Sequence, residues 1–127
     1  MAQLGRALGR RLTLTAESDL NDPAMVAPTC EGGFGMDMQW ADDVHHALHV
    51  WLTGEANAYY ADYTHPAAMR QAFRHGFVRV GQELRFEPAP RGKPIPEGVS
   101  GHHFIVFDEN HDQVGNRLIS DRPARSL

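Results

Sequence analysis

The chain has 127 residues, of which 42% are hydrophobic, 22% charged and 9% aromatic, a composition typical of a soluble globular domain. Twelve basic and sixteen acidic residues give a formal net charge of −4, so no basic excess is available to neutralise nucleic-acid phosphates. No apolar run approaches the ~20 residues of a membrane span, and the single cysteine, Cys30, cannot form an intrachain disulfide. We therefore expect a cytoplasmic protein with no nucleic-acid or membrane partner.

The first third of the chain predicts a helix followed by two strands. Leu4, Ala7 and Leu8 have helical spacing, and residues 12–16 predict a strand that ends at Glu17. After a loop rich in Asn, Pro and Gly, apolar residues alternate over residues 34–39, which predicts a short second strand.

The most regular pattern predicts an amphipathic helix after the second strand. Asp42 or Asp43 suits its N-cap, and Gly54 is a typical C-terminal stop. The apolar residues recur at helical spacing and should form one buried stripe: Val44, Ala47, Leu48, Trp51 and Leu52.

The rest of the chain predicts one more helix, a long loop and a strand. The helix should begin at Pro66 and end at Gly76, and its expected buried side is Met69, Ala72, Phe73 and Phe77. Residues 81–101 are rich in Pro and Gly and predict an irregular loop, whereas residues 103–107 form an apolar run of strand length. This order of elements predicts an α/β fold with parallel strands joined by crossovers.

Two carboxylates follow predicted strands, which makes them candidates for a site. Glu17 closes the first strand and Asp112 lies just past the last one. The carboxyl ends of parallel strands face the ligand crevice, where two carboxylates can divide acid and charge-stabilising roles. The chain has sixteen acidic residues, so some would lie at strand ends by chance. Their positions alone therefore do not distinguish a catalytic role from a structural one.

Histidines and aromatic residues offer further candidates with simpler alternatives. His45 and His49 lie four residues apart on the predicted helix and, with His111, could bind a metal ion, but no HExxH motif or obvious further ligand accompanies them. A half-exposed helix that bears histidines is the favoured explanation of the pair. Trp40 could stack on a sugar ring in a cleft lined by tyrosines, although such residues more often fill cores: Tyr59, Tyr60 and Tyr63.

Several segments together resemble the malto-oligosyltrehalose trehalohydrolase family of the alpha-amylase superfamily. Ala-Glu-Ser-Asp-Leu-Asn-Asp-Pro at residues 16–23 resembles the family's fifth-strand motif. The segments at residues 37–49, 52–55 and 59–62 resemble the region around the sixth strand, and Asn-His-Asp-Gln-Val-Gly-Asn-Arg at 110–117 resembles the seventh-strand motif. Asn-His-Asp alone would indicate only the superfamily, whereas the longer segments narrow the resemblance to this family.

The resemblance implies that residues 1–127 form one partial catalytic domain, a (β/α)₈ barrel incomplete at both ends, since a whole barrel needs about 250 residues. It also implies hydrolysis of the α-1,4 bond next to the trehalose end of an α-glucan by retaining acid/base catalysis, with no metal or cofactor. In this family pattern Glu17 matches the general acid/base, Asp112 the transition-state stabiliser and His111 a substrate-hydroxyl contact. The other expected substrate contacts are Trp40, Asp42, His45, Asn110, Gln113 and Arg117.

One part of the family pattern is missing from these residues. The nucleophilic aspartate belongs to the fourth strand, upstream of Glu17, and residues 1–16 contain no Asp. We therefore expect this chain alone to be inactive as a hydrolase. Two alternatives stay open: part of a superfamily branching enzyme, or a non-catalytic carbohydrate-binding or assembly fragment that pairs with a complementary barrel fragment or with a second copy.

Overall fold

The computed structural model describes residues 1–85 and 89–113. Its helices are α1 (Ala2–Leu8), α2 (Asp42–Thr53) and α3 (Ala68–His75), and its strands are β1 (Thr15–Ala16), β2 (Met38–Trp40) and β3 (Phe104–Ile105). Short 3₁₀ helices occupy Pro23–Met25, Thr29–Glu31, Ala58–Tyr63 and Gly101–His103. No helix within this described part is long and apolar enough to cross a membrane.

The three strands form one parallel sheet in the order β1-β2-β3, which confirms the predicted parallel α/β arrangement. Thr15 pairs with Met38, and Trp40 pairs with Ile105. All three strands are shorter than predicted. Leu14 was predicted to lie in β1, but its amide donates to the Asp37 carboxylate at 2.8 Å. A side chain therefore accepts this hydrogen bond in place of a backbone carbonyl of a neighbouring strand. The carboxyl ends of the strands nevertheless share one edge.

Helix α2 follows β2, and its buried face differs from the predicted one. It ends at Gly54, whose φ of 69° is left-handed, as predicted. Ala41 is its N-cap, so the predicted carboxylate cap is wrong. Val44 and Ala47 are buried as expected, whereas Trp51 is 72% exposed and lies outside the buried stripe.

Helix α3 begins two residues later than predicted and ends before Gly76, as expected. Ala72 and Phe77 are buried, but Phe73 is 62% exposed, so its predicted burial is wrong. The following loop has no helix or strand in its described residues, 81–85 and 89–100, in agreement with the prediction.

The core lies between α2, α3 and the sheet. Small side chains let the two helices approach each other, and the buried cluster consists of Ala41, Val44, Ala47, Tyr63, Ala68, Ala72 and Val78. Burying apolar surface in this way contributes about 25 cal/mol per Å², which stabilises the packing of α2 against α3.

Candidate functional site

The two predicted catalytic carboxylates meet at one histidine. Glu17 is the first residue after β1, and His111 Nε2 lies 3.1 Å from Glu17 Oε1 and 3.4 Å from Asp112 Oδ1. Glu17 and His111 are 94 residues apart in the sequence. All three side chains are more than half exposed, so they are open to a ligand from solvent. The parallel sheet accounts for the meeting, because it places the ends of β1 and β3 at the same edge.

A tight turn presents His111 and Asp112. The Asp112 amide donates to Asn110 Oδ1 at 2.8 Å, and the Asn110 amide donates to Gln113 Oε1 at 2.8 Å. Asn110 and Gln113 therefore use side-chain oxygens to shape the backbone of the turn. Their predicted contacts with substrate stay predictions, and Arg117 lies outside the described residues.

Asp42 belongs to the same acidic region. It is the first residue of α2, directly after β2, and its side chain is half-buried. Two causes together raise the pKa of Asp42 to about 6. The larger is burial, and the smaller is the negative charge of the neighbouring carboxylates Asp19, Asp43, Asp112 and Glu17. Asp42 is thus close enough to Glu17 and Asp112 to feel their charges, and its predicted contact with substrate stays a prediction.

Trp40, the last residue of β2, packs edge-on against Phe107 with ring centroids 5.1 Å apart. The Trp40 side chain is only half-buried, which leaves part of the indole accessible. Tyr60 and Tyr63 are buried, so these two tyrosines fill the core and do not line an open cleft. The role of Trp40 as a substrate contact therefore stays a prediction, and Tyr60 and Tyr63 follow the simpler interpretation as core residues.

His45 is placed differently from the prediction of a substrate contact. Its side chain is completely buried, and its Nδ1 is hydrogen-bonded to the Asp108 carbonyl oxygen. The imidazole stacks on Phe107 at an interplanar angle of 6°, and burial lowers the pKa of His45 below its ordinary value. No surface of His45 is available to a sugar in this arrangement, because Phe107 and Asp108, in the segment after β3, cover it.

The alternative metal site is not assembled either. His49 Nε2 pairs with Glu55 Oε2 at 2.9 Å, and His45 is bonded to a backbone carbonyl. Within residues 1–85 and 89–113, the one group of three or more potential ligands whose ligand atoms all lie within 4.8 Å of one another is Glu17, His111 and Asp112. His45, His49 and His111 therefore form no such group among the described residues, and the predicted histidine metal site is wrong there.

Sequence reasoning missed the buried carboxylate of Asp43. Its Oδ2 accepts hydrogen bonds from Asn21 Nδ2 at 2.8 Å and from the amides of Val78 at 2.6 Å and Arg79 at 2.8 Å. Its Oδ1 accepts from the Tyr63 hydroxyl at 2.5 Å and from Arg79 Nε at 3.3 Å. One signal was present in the sequence: Asp43 lies one turn before Ala47, on the apolar side of the helix.

The network around Asp43 keeps the Tyr63 phenol protonated and pairs the Asp43 carboxylate with the Arg79 cation. Burial, and next the negative charge of Asp43, raise the pKa of Tyr63 above its ordinary value, so this phenol stays protonated and donates. Arg79, only 3% exposed, supplies the opposite charge. Asp43 thereby joins the loop after β1, the helix α2 and residues 78–79 into one unit.

The comparisons with known proteins agree on one family. The chain is 42% identical over 125 residues to the malto-oligosyltrehalose trehalohydrolase of Arthrobacter ramosus, matching 98% of this chain and 22% of the relative. It is 37% identical to the Mycobacterium tuberculosis enzyme over 98% of this chain and 22% of the relative. The Saccharolobus solfataricus enzyme is 42% identical over 80% of this chain and 18% of the relative. No family model matches the chain.

A solved structure gives the same picture of the fold. A crystal structure described as that of an alpha amylase from Salmonella typhimurium superposes with a TM-score of 0.79 and 34% identity, over 95% of this chain and 21% of that one. The chain thus spans about a fifth of the length of the relatives it matches. These findings confirm the predicted resemblance and the predicted fold, part of an α/β barrel.

Proposed function

We propose, from the similarity of this chain to an internal part of malto-oligosyltrehalose trehalohydrolases, that it carries the acid/base side of an α-glucan-cleaving site. In this proposal Glu17 is the general acid/base, Asp112 stabilises positive charge in the transition state, and His111 binds a sugar hydroxyl. The observation that carries the proposal is the His111 imidazole, which lies within 3.4 Å of both carboxylates.

The proposed reaction needs one group more than these residues provide. Glu17 donates its proton to the glycosidic oxygen as a nucleophilic carboxylate attacks the anomeric carbon from the other face, about 5–5.5 Å away. A water molecule then attacks the glycosyl ester, and Glu17 takes the proton back. Residues 1–16 hold no carboxylate, and Asp112 is proposed as the stabiliser, so the nucleophile is not assigned to any described residue.

Substrate recognition is proposed to involve Trp40 at the end of β2. An accessible indole can stack on the apolar face of a glucose ring, and Asp42 and His111 can accept or donate hydrogen bonds to its hydroxyls. The expected ligand is a malto-oligosaccharide or malto-oligosyltrehalose, and water is the proposed acceptor. Transfer to a sugar hydroxyl, as in a branching enzyme, receives no support from the family named by the relatives.

Tryptophan fluorescence can test glucan recognition, because the chain has two tryptophans and the structure separates them. In Trp51→Phe, only Trp40 reports, and we expect a saturable change on titration with maltoheptaose. The matched variant Trp40→Phe, which keeps the exposed Trp51, should show no saturable change. An unresponsive Trp51→Phe variant, or an equal response of both variants, would contradict the proposal.

Catalysis needs a separate measurement. We expect the purified 127-residue chain to release no trehalose from malto-oligosyltrehalose, because no nucleophile accompanies Glu17 in the proposed assignment. Appreciable trehalose release by this chain would contradict that assignment. Pairing with a complementary barrel fragment or a second copy, and a cytoplasmic location, stay predictions.

A further inference from the structure

The proposed catalytic groups are not held in place by their own burial. Glu17 and Asp112 are 52% and 58% exposed, and β3 ends at Ile105, six residues before His111. An exposed side chain on a loop samples many positions unless the backbone beneath it is anchored. The contact between His111 and Glu17 therefore depends on what fixes the two loops that carry them.

The loop after β1 is anchored at Asn21, four residues beyond Glu17. Asn21 is 1% exposed and has a φ of 51°, a left-handed conformation that asparagine tolerates better than most residues. Its Nδ2 donates to Asp43 Oδ2 at 2.8 Å and to the Arg79 carbonyl oxygen at 3.1 Å. Asp43, at the start of α2, thus holds the far end of the Glu17 loop.

The segment after β3 is anchored at Asp108, three residues before His111. A carbonyl oxygen only accepts, so the His45 nitrogen bonded to Asp108 must carry a proton, which places it on Nδ1. The other nitrogen, Nε2, lies 3.5 Å from the Tyr60 hydroxyl, which can donate to it. His45 also stacks on Phe107, with ring centroids 5.1 Å apart. Burial keeps this imidazole neutral by lowering its pKa, so the bonding pattern holds at neutral pH.

Asp43 and His45 stand two residues apart on one rigid turn. Successive residues of a helix are rotated by about 100°, so these two side chains point about 160° apart around the helix axis and reach different loops. We propose that Asp43 and His45 are positioning residues that together set the distance between Glu17 and the His111–Asp112 pair. This inference rests on the proposed function of that pair, and neither positioning residue touches the substrate.

The unmodified chain provides the first test. Long-range ¹H–¹⁵N spectra of the histidine side chains report which ring nitrogen carries the proton. We expect His45 to have its proton on Nδ1, and we expect a nuclear Overhauser effect between the His111 ring and the Glu17 side chain. A neutral His45 with its proton on Nε2 could not donate to Asp108 and would overturn the inference.

Variants at position 45 separate positioning from general stabilisation. His45→Phe keeps an aromatic ring against Phe107 but has no donor, whereas His45→Asn keeps a donor close to the place of Nδ1. The matched control is His49→Phe, because His49 is a buried histidine of the same helix that pairs with Glu55. We expect the His111–Glu17 effect to be lost in His45→Phe and kept in His45→Asn and His49→Phe.

Several results would refute this role. Retention of the His111–Glu17 effect in folded His45→Phe, or an equal loss in His49→Phe, would show that His45 has no special influence. If His45→Phe does not fold, a folded His45→Asn chain that lacks the effect would overturn the inference.

The Asp43 side is tested through Asn21→Gly, which suits the positive φ and removes only the side-chain anchor. It should lose the contact, whereas the control Asn57→Gly should keep it, since Asn57 is exposed and its side chain caps no helix. Retention of the contact in Asn21→Gly would overturn this half of the inference. Failure of maltoheptaose to bind, with the contact still dependent on His45, would contradict the proposed function and leave the positioning role standing.

Discussion

Two acidic regions lie close together in this molecule and are built in opposite ways. Asp43 is completely buried and accepts hydrogen bonds from Asn21, Tyr63, Val78 and Arg79. Asp112, in the segment after β3, is 58% exposed and lies beside His111. An aspartate side chain therefore has a structural role at Asp43 and is a candidate reactive group at Asp112.

The difference follows from the cost of burying charge. A carboxylate taken out of water loses hydration worth several kcal/mol, and only well-placed donors and an opposite charge compensate for it. Asp43 has both, so its oxygens are occupied and it has little capacity to bind a substrate. Glu17 and Asp112 keep much of their hydration, so their oxygens remain free to exchange protons or accept hydrogen bonds from sugar hydroxyls.

The largest expected effect is on the buried side of this comparison. Asp43→Ala would remove the acceptor of Arg79 Nε and of two buried backbone amides, and with it the negative charge that Arg79 Nε faces. We expect it to lower the free energy of unfolding by about 3–5 kcal/mol. Urea denaturation followed by circular dichroism measures the change.

The exposed counterpart serves as the control for that variant. Asp112→Ala should change the free energy of unfolding by less than about 0.5 kcal/mol, because it removes a solvated side chain. Equal losses in the two variants would break the distinction between a structural and a reactive carboxylate.

The half-buried His46 on α2 predicts a loss of stability in acid. Burial, followed by the charges of His45, Arg79, His49 and Arg91, lowers the pKa of His46 to about 3. An unfolded histidine titrates near 6.5, so between pH 6.5 and 3 the unfolded state binds the extra proton and stability falls as the pH falls. From pH 7 to pH 5 this amounts to at most about 2 kcal/mol.

His46→Phe tests this pH dependence. The Phe variant has no proton to take up, and it suits the neighbouring rings of Tyr59 and Tyr63. Unfolding free energies at pH 7 and pH 5 should therefore differ less in His46→Phe than in the unmodified chain. Parallel acid losses in the two proteins would show that His46 does not carry the effect.

The smallest expected effect lies at the boundary between the two regions. The pKa of Asp42 is raised from 3.8 to about 6, so its ionisation opposes folding, and the stability present below pH 3.8 is lost as the pH rises through about 6. At pH 8 the free energy of unfolding of Asp42→Asn should therefore be about 1 kcal/mol higher than that of the unmodified chain. This value allows for solvent screening of the half-exposed side chain.

The same variant at low pH is its own control. At pH 3.5 the Asp42 carboxyl is protonated in both the folded and most of the unfolded state, so the advantage of Asn should vanish. A difference of the same size at pH 3.5 and pH 8 would mean that Asn acts through hydrogen bonding and not through the removed charge.

Local patterns predicted much of this fold because they depend on neighbours in the chain. Gly54 and Gly76 end their helices as expected, since left-handed backbone is accessible to glycine whatever surrounds it. The alternation of helices and strands predicted the parallel sheet. Strand ends made Glu17 and Asp112 candidates, the family resemblance supplied their roles, and those roles stay predictions.

Side-chain burial was not predictable in the same way. Trp51 and Phe73 occupy apolar positions of their helices but stay exposed, because the described residues place no partner over them. His45 looked like a polar residue for a ligand, yet the segment after β3 covers it.

The sequence by itself therefore determined the helix stops and the parallel α/β arrangement, and it singled out Glu17 and Asp112 as candidates through the family resemblance. Only the tertiary structure decided which carboxylate is buried with donors and which stays in water. The physical reason is that ionisation and hydrogen bonding depend on groups distant in the sequence: Asp43 meets Asn21 22 residues before it and Arg79 36 residues after it. No local pattern carries that information, because it arises only when the loops close around the first turn of α2.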